Sequence, residues 1–475
     1  MVSSAGSAVV ELADGSVNAL TDAAAYADAD AEDAPSAALF STTDLTITGD
    51  GALTVTGNAN DGITSKDGLV IESGQITVDA VDDGIRGKDY LVVSGGTLDV
   101  TAGGDGLKAD DDSDASEGFV VVSGGDLTVA ADGDGVDAQT DVVVTGGTLD
   151  VTAGGGSGTE PTDATSTKGV KGSASVVVGG GTLTVDSADD AVHSDGIVSI
   201  TDGDLTLSSG DDGVHADAAL DVAGGALDVL TSSEGLEAEA ITLAGGDITV
   251  VASDDGINAA SSASGSTEDA QGDWAGPGGE SSGTASLTVT GGTVAVDAGG
   301  DGLDANGTLT VSGGTVVVHG PTNDGNGAID ADSTPSVTGG TLVAAGSSGM
   351  AMAPGTDGQG WVSATFDSAQ AAGTTLAVVD ADGTVVATFT PTKDITSLVI
   401  SAAGLTAGEQ YTVVSGATAS GDAVEGYTSS GDASGATEVL TVTAGEHTAG
   451  TGSGGMPGGG QGAGGQGGGR PGGNG

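Results

Sequence analysis

The chain has 475 residues, with 69 acidic against 8 basic side chains and a formal charge of -61 at pH 7. So negative a chain cannot form the basic footprint that nucleic-acid phosphates demand, and it repels anionic membrane surfaces while attracting cations and neutral ones. It has no cysteine, which excludes disulfides, thiolate metal sites and a lipidated cysteine, and no apolar run approaches the ~18 residues that span a bilayer.

The N-terminal MVSSAGSAVVELADGS has neither a basic segment nor an apolar one of the kind that directs export. From Asp61 an Asp-Gly-aliphatic phrase recurs at Asp83, Asp105, Asp134, Asp190, Asp212, Glu234, Asp255 and Asp301, with variants at Lys168 and Gly327. The regular step is 22 residues, as from 61 to 83 to 105. A second phrase keeps the same rhythm, as SGGTLDV at 94–100, TGGTLDV at 145–151 and GGGTLTV at 179–185. Within it apolar residues alternate with Thr or Asp, which is the period of a strand with one buried face, and the paired glycines mark tight corners. Three short strands and three corners per 22 residues predict an all-β chain wound as a parallel β-helix over 1–351, with aliphatic rows inside and Thr and Asp ladders outside.

Three insertions interrupt the winding: the acidic 110–117, the Gly/Thr-rich 154–167, and 260–284, which carries Trp274. From 352 to 447 the repeat gives way to ordinary antiparallel strand patterns with a turn at Asp382-Gly383, read as a cap or small β module. Residues 448–475 read as a disordered Gly-rich tail.

Aligning the repeats turns sequence into columns. Three residues after the repeat Asp stand Thr64, Arg86, Lys108, Asp137, Lys171, His193, His215, Glu237, Asn258, Asp304 and Asp330. Six of the eight basic residues, Lys66, Arg86, Lys88, Lys108, Lys168 and Lys171, lie in or beside this stripe. Carboxylates ~5 Å apart repel by about 0.8 kcal/mol even at the dielectric of water, so one Asp per turn calls for counter-charge from Lys, Arg or a bound cation. The repeat Asp also suits a corner, its carboxylate accepting nearby backbone N–H groups.

Calcium is the cation that fits such oxygen-rich ladders. The candidate ligands are Asp189, Asp190, Asp195, Asp211, Asp212 and Asp217, in turns without an evident nearby base, together with Asp110, Asp112, Asp114 and Glu117 of the acidic insertion. His193 and His215 stand one turn apart and read as polar ladder residues. No nucleotide-binding or hydrolase motif is present.

The ordered phrases DGITSKDGLVI, DDGIRGKD, GDGLKADDD, KGVKG, DDAVHSDG, DDGVHAD and SSEGLEAEAITLAGGDITV resemble a carbohydrate-binding β-helix family first described from a cellulolytic clostridium, over residues 9–350. The resemblance implies a right-handed parallel β-helix with a pectate-lyase-like shape that binds calcium and cell-wall polysaccharide, cellulosic or acidic and pectin-like, without cleaving it. It also implies an extracellular or cell-surface protein with an export signal and further strands upstream, so that Met1 reads as an internal start.

Two functions compete. A binding module would use its long ladder-bearing face, with Arg86, Lys88, Tyr90, Lys108 and Lys171 as ligand contacts and calcium bridging to uronate carboxylates. A lyase would need Lys108, Lys168 or Lys171 as a neutral base beside calcium. Ladder neutralisation accounts for these bases without catalysis, so the sequence favours a monomeric, non-catalytic binder.

Overall fold

The structure, a computed structural model, describes residues 6–26, 35–160, 166–261 and 283–450. Every regular element among them is a β-strand. Each repeat supplies three short strands, and each strand pairs in parallel with its counterpart one repeat on. Thus Ile85–Gly87, Tyr90–Val93 and Thr97–Ala102 pair with Leu107–Ala109, Phe119–Val122 and Asp126–Ala131 respectively. Continued along the chain, this pairing builds three stacks of parallel strands, from Ala8–Leu12 to Thr341–Gly346.

Period-two alternation decides which side chains go inward. In Thr97–Ala102, Leu98, Val100 and Ala102 are buried while Thr97, Asp99 and Thr101 face solvent. The register sets Leu98 beside Ile76 and Leu127, so aliphatic residues form continuous rows. A slip of one residue would turn each row out to water, at a cost of about 1.5–3 kcal/mol for each large side chain. The first stack contributes Ile63, Ile85, Leu107, Val136, Val170 and Val192, none with any exposed surface.

Glycine is required at two kinds of corner. A Cβ on Gly106, in the Asp-Gly phrase, would lie 2.2 Å from Val129 Cγ1 and 2.6 Å from the Gly135 carbonyl oxygen. Gly147, second of its pair, has φ +86°, and a Cβ there would meet the Gly125 oxygen at 2.7 Å.

The parallel stacking ends at Thr341–Gly346, whose outer edge pairs antiparallel with Ile395–Ser401. That strand also pairs with Trp361–Gln370. A separate five-stranded antiparallel sheet includes Leu376–Val379, Val385–Phe389 and Gln410–Ser415. Its core includes Phe389, Leu398 and Tyr411, packed with Val317 and Val343 of the last parallel strands. Lys393 Nζ fastens this region to the stacks, reaching Asp297 Oδ1 at 2.5 Å and the carbonyl oxygens of Ala298 and His319 at 2.7 and 3.1 Å.

Structure continues past the expected start of the tail, because His447–Ala449 pairs in parallel with Ser363–Thr365. Residues 451–475, the start at Met1, part of the 154–167 insertion and most of 260–284, Trp274 included, lie outside the described residues. Among the described residues no helix is long and apolar enough to cross a membrane.

Candidate functional site

The backbone register reproduces the column read from sequence. Thr64, Arg86, Lys108, Asp137, Lys171, His193, His215, Glu237, Asn258, Asp304 and Asp330 are successive neighbours in the first stack. The repeat carboxylates run alongside, and their two oxygens take different work. One accepts a backbone N–H from the following turn. Asp83, Asp105 and Asp134 Oδ1 accept from Asp105, Asp134 and Lys168 at 3.0, 2.8 and 2.7 Å, and Asp190 Oδ1 accepts from Asp212 at 3.0 Å. The other oxygen meets the side chain three residues on, as Thr64 on Asp61, Lys108 on Asp105, His193 on Asp190 and His215 on Asp212. The repeat Asp is therefore a corner tie between turns.

The bases sit among these carboxylates. Arg86 clasps Asp110 through Nε at 3.1 Å and Nη2 at 2.5 Å. Lys88 pairs with Asp111, and Lys108 with Asp105 while lying 3.7 Å from Asp83 and 3.8 Å from Asp137. Lys171 lies 3.6 Å from Asp134 and 3.4 Å from Asp137. Burial works against the ammonium of Lys168, yet Asp190 and Asp189 outweigh it and push its pKa up to about 12. Lys108 and Lys171 are raised in the same manner, burial being outweighed by Asp105 and by Asp137 respectively. Toward the far end of the row, Glu234, Asp255, Asp301 and Asp304 have no ion pair among the described residues. Burial, with neighbouring carboxylates, pushes Glu234 and Asp304 up to about 7 and Asp255 to about 6.

The expected calcium ligands are only partly brought together. Asp189, Asp190 and Asp211 converge, with donor atoms within 4.8 Å of one another. Their turn does not lack a base, however. Lys168 stands where other repeats carry aspartate, so its ammonium meets Asp189 at 3.0 Å and Asp190 at 2.8 Å on the next turn. Asp195 and Asp217 likewise face His193 and His215 Nε2, at 3.1 and 3.2 Å.

In the acidic insertion the alternating set Asp110, Asp112, Asp114 and Glu117 does not converge. Arg86 holds Asp110, and Asp114 accepts from the Ser116 backbone and hydroxyl at 2.9 and 2.7 Å. The group that forms is Asp89, Asp111 and Glu117. It needs Asp89 from the preceding turn, so spacing within the loop could not reveal it. Asp212, His215 and Glu237 make a further group. Of these, Glu237 was visible only as a member of the column.

Tyr90 is half-buried rather than a free platform. Its ring stacks on Phe119 at 5.6 Å between centroids, its hydroxyl donates to Asp44 Oδ1 at 3.3 Å, and it lies over Gly68.

A different face presents polar groups to solvent. On the third stack the middle outward rank runs Thr54, Thr77, Asp99, Thr128, Asp150, Thr184, Thr206, Asp228, Thr249, all Thr or Asp in unbroken register. From Thr54 to Thr184 each is exposed. Flanking ranks repeat the chemistry, with Thr97 and Thr101 beside Asp99 and Thr148 and Thr152 beside Asp150. The spacing is ~4.8 Å from turn to turn and ~6.7 Å along a strand, a lattice of hydroxyls and carboxylates.

Residues 1–213 match the family model described as carbohydrate-binding domain-containing protein. A carbohydrate-binding domain-containing protein of Acetivibrio thermocellus is 46% identical over 80 residues, 17% of this chain and 28% of that relative. The chain thus matches little more than a quarter of the relative's length. A solved structure of a polysaccharide lyase-like protein from C. thermocellum, a gadolinium derivative, aligns at 31% identity over 42% of this chain and 66% of its own, with a TM-score of 0.32.

Proposed function

We propose, proceeding from the carbohydrate-binding family that the first 213 residues match, that the protein is a right-handed parallel β-helix that holds cell-wall polysaccharide, acidic and pectin-like or cellulosic, on its surface without cleaving it. The exposed Thr/Asp lattice carries this reading. A polymer with hydroxyls at regular intervals meets donors and acceptors at regular intervals, so many weak contacts add along one chain. The aromatic platforms on which sugars often stack are scarce here, with 2% aromatic residues, so polar periodicity has to supply the recognition.

Calcium enters as a bridging cation. The all-oxygen group Asp189, Asp190 and Asp211 suits a hard ion, with Lys168 as the competing charge. Bound calcium would supply positive charge to which a uronate carboxylate can attach. Arg86, Lys88, Lys108 and Lys171 serve such a carboxylate only by sharing it with the carboxylates they already hold. The same pairing speaks against lyase chemistry, since a base at Lys108, Lys168 or Lys171 must first lose a proton that its neighbours retain.

The test is co-sedimentation with polygalacturonate and with cellulose, with calcium or with chelator, while ultraviolet absorbance follows unsaturated product. Retention with flat absorbance supports binding, and loss of retention on chelation supports the calcium bridge. Rising absorbance abolished by Lys108→Ala or Lys171→Ala would replace binding with β-elimination. No retention on either polymer would end the polysaccharide reading.

A further inference from the structure

We propose a second kind of metal site, for one first-row divalent transition ion, built from Asp212 Oδ2, His215 Nδ1 and Glu237 Oε2. It is independent of the polysaccharide reading and separate from the all-oxygen group of Asp189, Asp190 and Asp211. Two adjacent turns supply it, because His215 and Glu237 are register neighbours and Asp212 stands at the corner before His215 on the same turn.

The geometry is that of a coordination face. His215 Nδ1 lies 3.0 Å from Asp212 Oδ2 and 2.9 Å from Glu237 Oε2. Donors at ~2.1 Å from one ion and at right angles to each other stand ~3.0 Å apart, the separation of the imidazole nitrogen from each carboxylate oxygen, and all three atoms lie within 4.8 Å of one another. One N–H on Nδ1 cannot satisfy two carboxylates equally, whereas an ion in its place is bound by all three atoms. His215 is also oriented as a ligand. Its other nitrogen, Nε2, donates to Asp217 Oδ1 at 3.2 Å, a carboxylate–imidazole support that keeps a proton on Nε2 once Nδ1 has given up its own to bind metal. The His193 ring stacks on it at 5.0 Å between centroids and 12° between planes, restraining its rotation.

An independent observation points to the same place. Asn258 follows Glu237 in the row and lines the same cleft of about 610 Å³ as Asp212, His215 and Glu237. It is only 8% exposed, its Nδ2 donates to Glu234 Oε2 at 2.8 Å, and its Oδ1 has no hydrogen-bond partner among the described residues. A buried acceptor without a donor costs about 1–3 kcal/mol, and since water does not reach this oxygen, a cation would remove that cost only by direct contact. The imidazole nitrogen sets the metal class, since imidazole favours zinc, cobalt or nickel over calcium. Binding releases the Nδ1 proton to solvent, so affinity falls as pH falls.

The test is titration of the whole, untagged chain with Co²⁺, read by visible ligand-field absorption and by calorimetry, then challenge with Zn²⁺ and with Ca²⁺. The expected result is one equivalent of Co²⁺ with a visible band, displaced by Zn²⁺ and not by equimolar Ca²⁺. His215→Gln and Glu237→Gln should each weaken binding at least ~10-fold, while His447→Gln, at a histidine bonded to Ser363 and Thr365 far along the chain, leaves it unchanged. The proposal is overturned if the intact chain shows no stoichiometric band, if the band survives both Gln substitutions, or if calcium displaces cobalt as readily as zinc does. The wild-type titration decides the first and last of these even if a variant fails to fold.

Discussion

Lys168 reaches across one turn to Asp190, placing its ammonium 2.8 Å from Oδ2. It stands on the rung that aspartate occupies elsewhere, and so removes one acceptor from the ladder of corner ties. The missing bond is made locally, the backbone N–H of Asp190 being accepted by Asp189 Oδ1 at 3.0 Å. One substitution in the repeat thus exchanges a backbone tie for a counter-charge under three converging carboxylates.

Lys168→Ala should therefore destabilise the protein by about 1.5–3 kcal/mol, because buried Asp190 loses its ammonium partner and keeps only His193 and the Asp212 N–H. Millimolar calcium should restore much of that loss by taking the vacated position. Thermal unfolding with and without calcium checks both statements, and a variant as stable as wild type in chelator would refute the pairing.

Asp134 tests the corner tie itself. Asp134→Ala removes the acceptor of the Lys168 N–H and a partner of Lys171, and should cost about 1.5–3 kcal/mol. Asp134→Asn keeps an oxygen for the N–H and should cost less. Equal losses in urea unfolding would mean that charge, not the backbone bond, is what Asp134 supplies.

This ladder also shows what was legible beforehand. The charged row could be read because a period of 22 residues places each member beside the next in a parallel stack, and side-chain alternation then settles its face. The Asp189–Asp190–Asp211 grouping was equally a matter of register. What sequence could not give was the reach of long side chains between turns. Lys168 was visible as a variant of the phrase, but its hold on Asp189 and Asp190 depends on where the ammonium lands. In the acidic insertion, alternation suggested Asp110, Asp112 and Asp114, whereas Arg86 and Lys88 from the preceding turn select Asp110 and Asp111 individually. The seat of Tyr90 was hidden for a similar reason, since the glycine beneath it opens room only once Gly68 and Tyr90 are neighbours.

Stability should fall as pH rises from about 4 to about 7. Burial raises Asp61 and Asp304 to about 7 and Asp134 and Asp255 to about 6, from a usual 3.8. In that window the native chain holds more protons than the unfolded one, and ionising these groups costs the folded state alone. Carboxylates held below their usual value, such as Asp111 through the Lys88 and Ser113 hydrogen bonds, act in the opposite sense and only at lower pH. Urea midpoints across pH 4–8 in chelator check the slope; a midpoint that climbs through the window would contradict it.

The lattice makes a local prediction. Thr128→Arg or Asp150→Arg projects a long side chain from its centre without touching the core, and should reduce polysaccharide retention ~10-fold or more with little change in unfolding temperature. The same change at Thr437, on the antiparallel sheet, should leave retention intact. Equal retention by all three variants would place the contact face elsewhere.

Core rows predict the complementary behaviour. Leu107→Ala, at a fully buried position between Ile85 and Val136, should cost about 2–5 kcal/mol and leave the polar faces unaltered wherever the chain still folds.

The Lys393 fastening has a mechanical consequence. Under load, parallel turns held edge to edge can unzip one at a time from an end. Here a pull that would peel Thr341–Gly346 must first free Lys393 from Asp297, Ala298 and His319, contacts that reach back past the final turn to the two before it. The terminal turns then yield together rather than singly, and the force needed to start unravelling is that of a clasp across several turns, not of one strand.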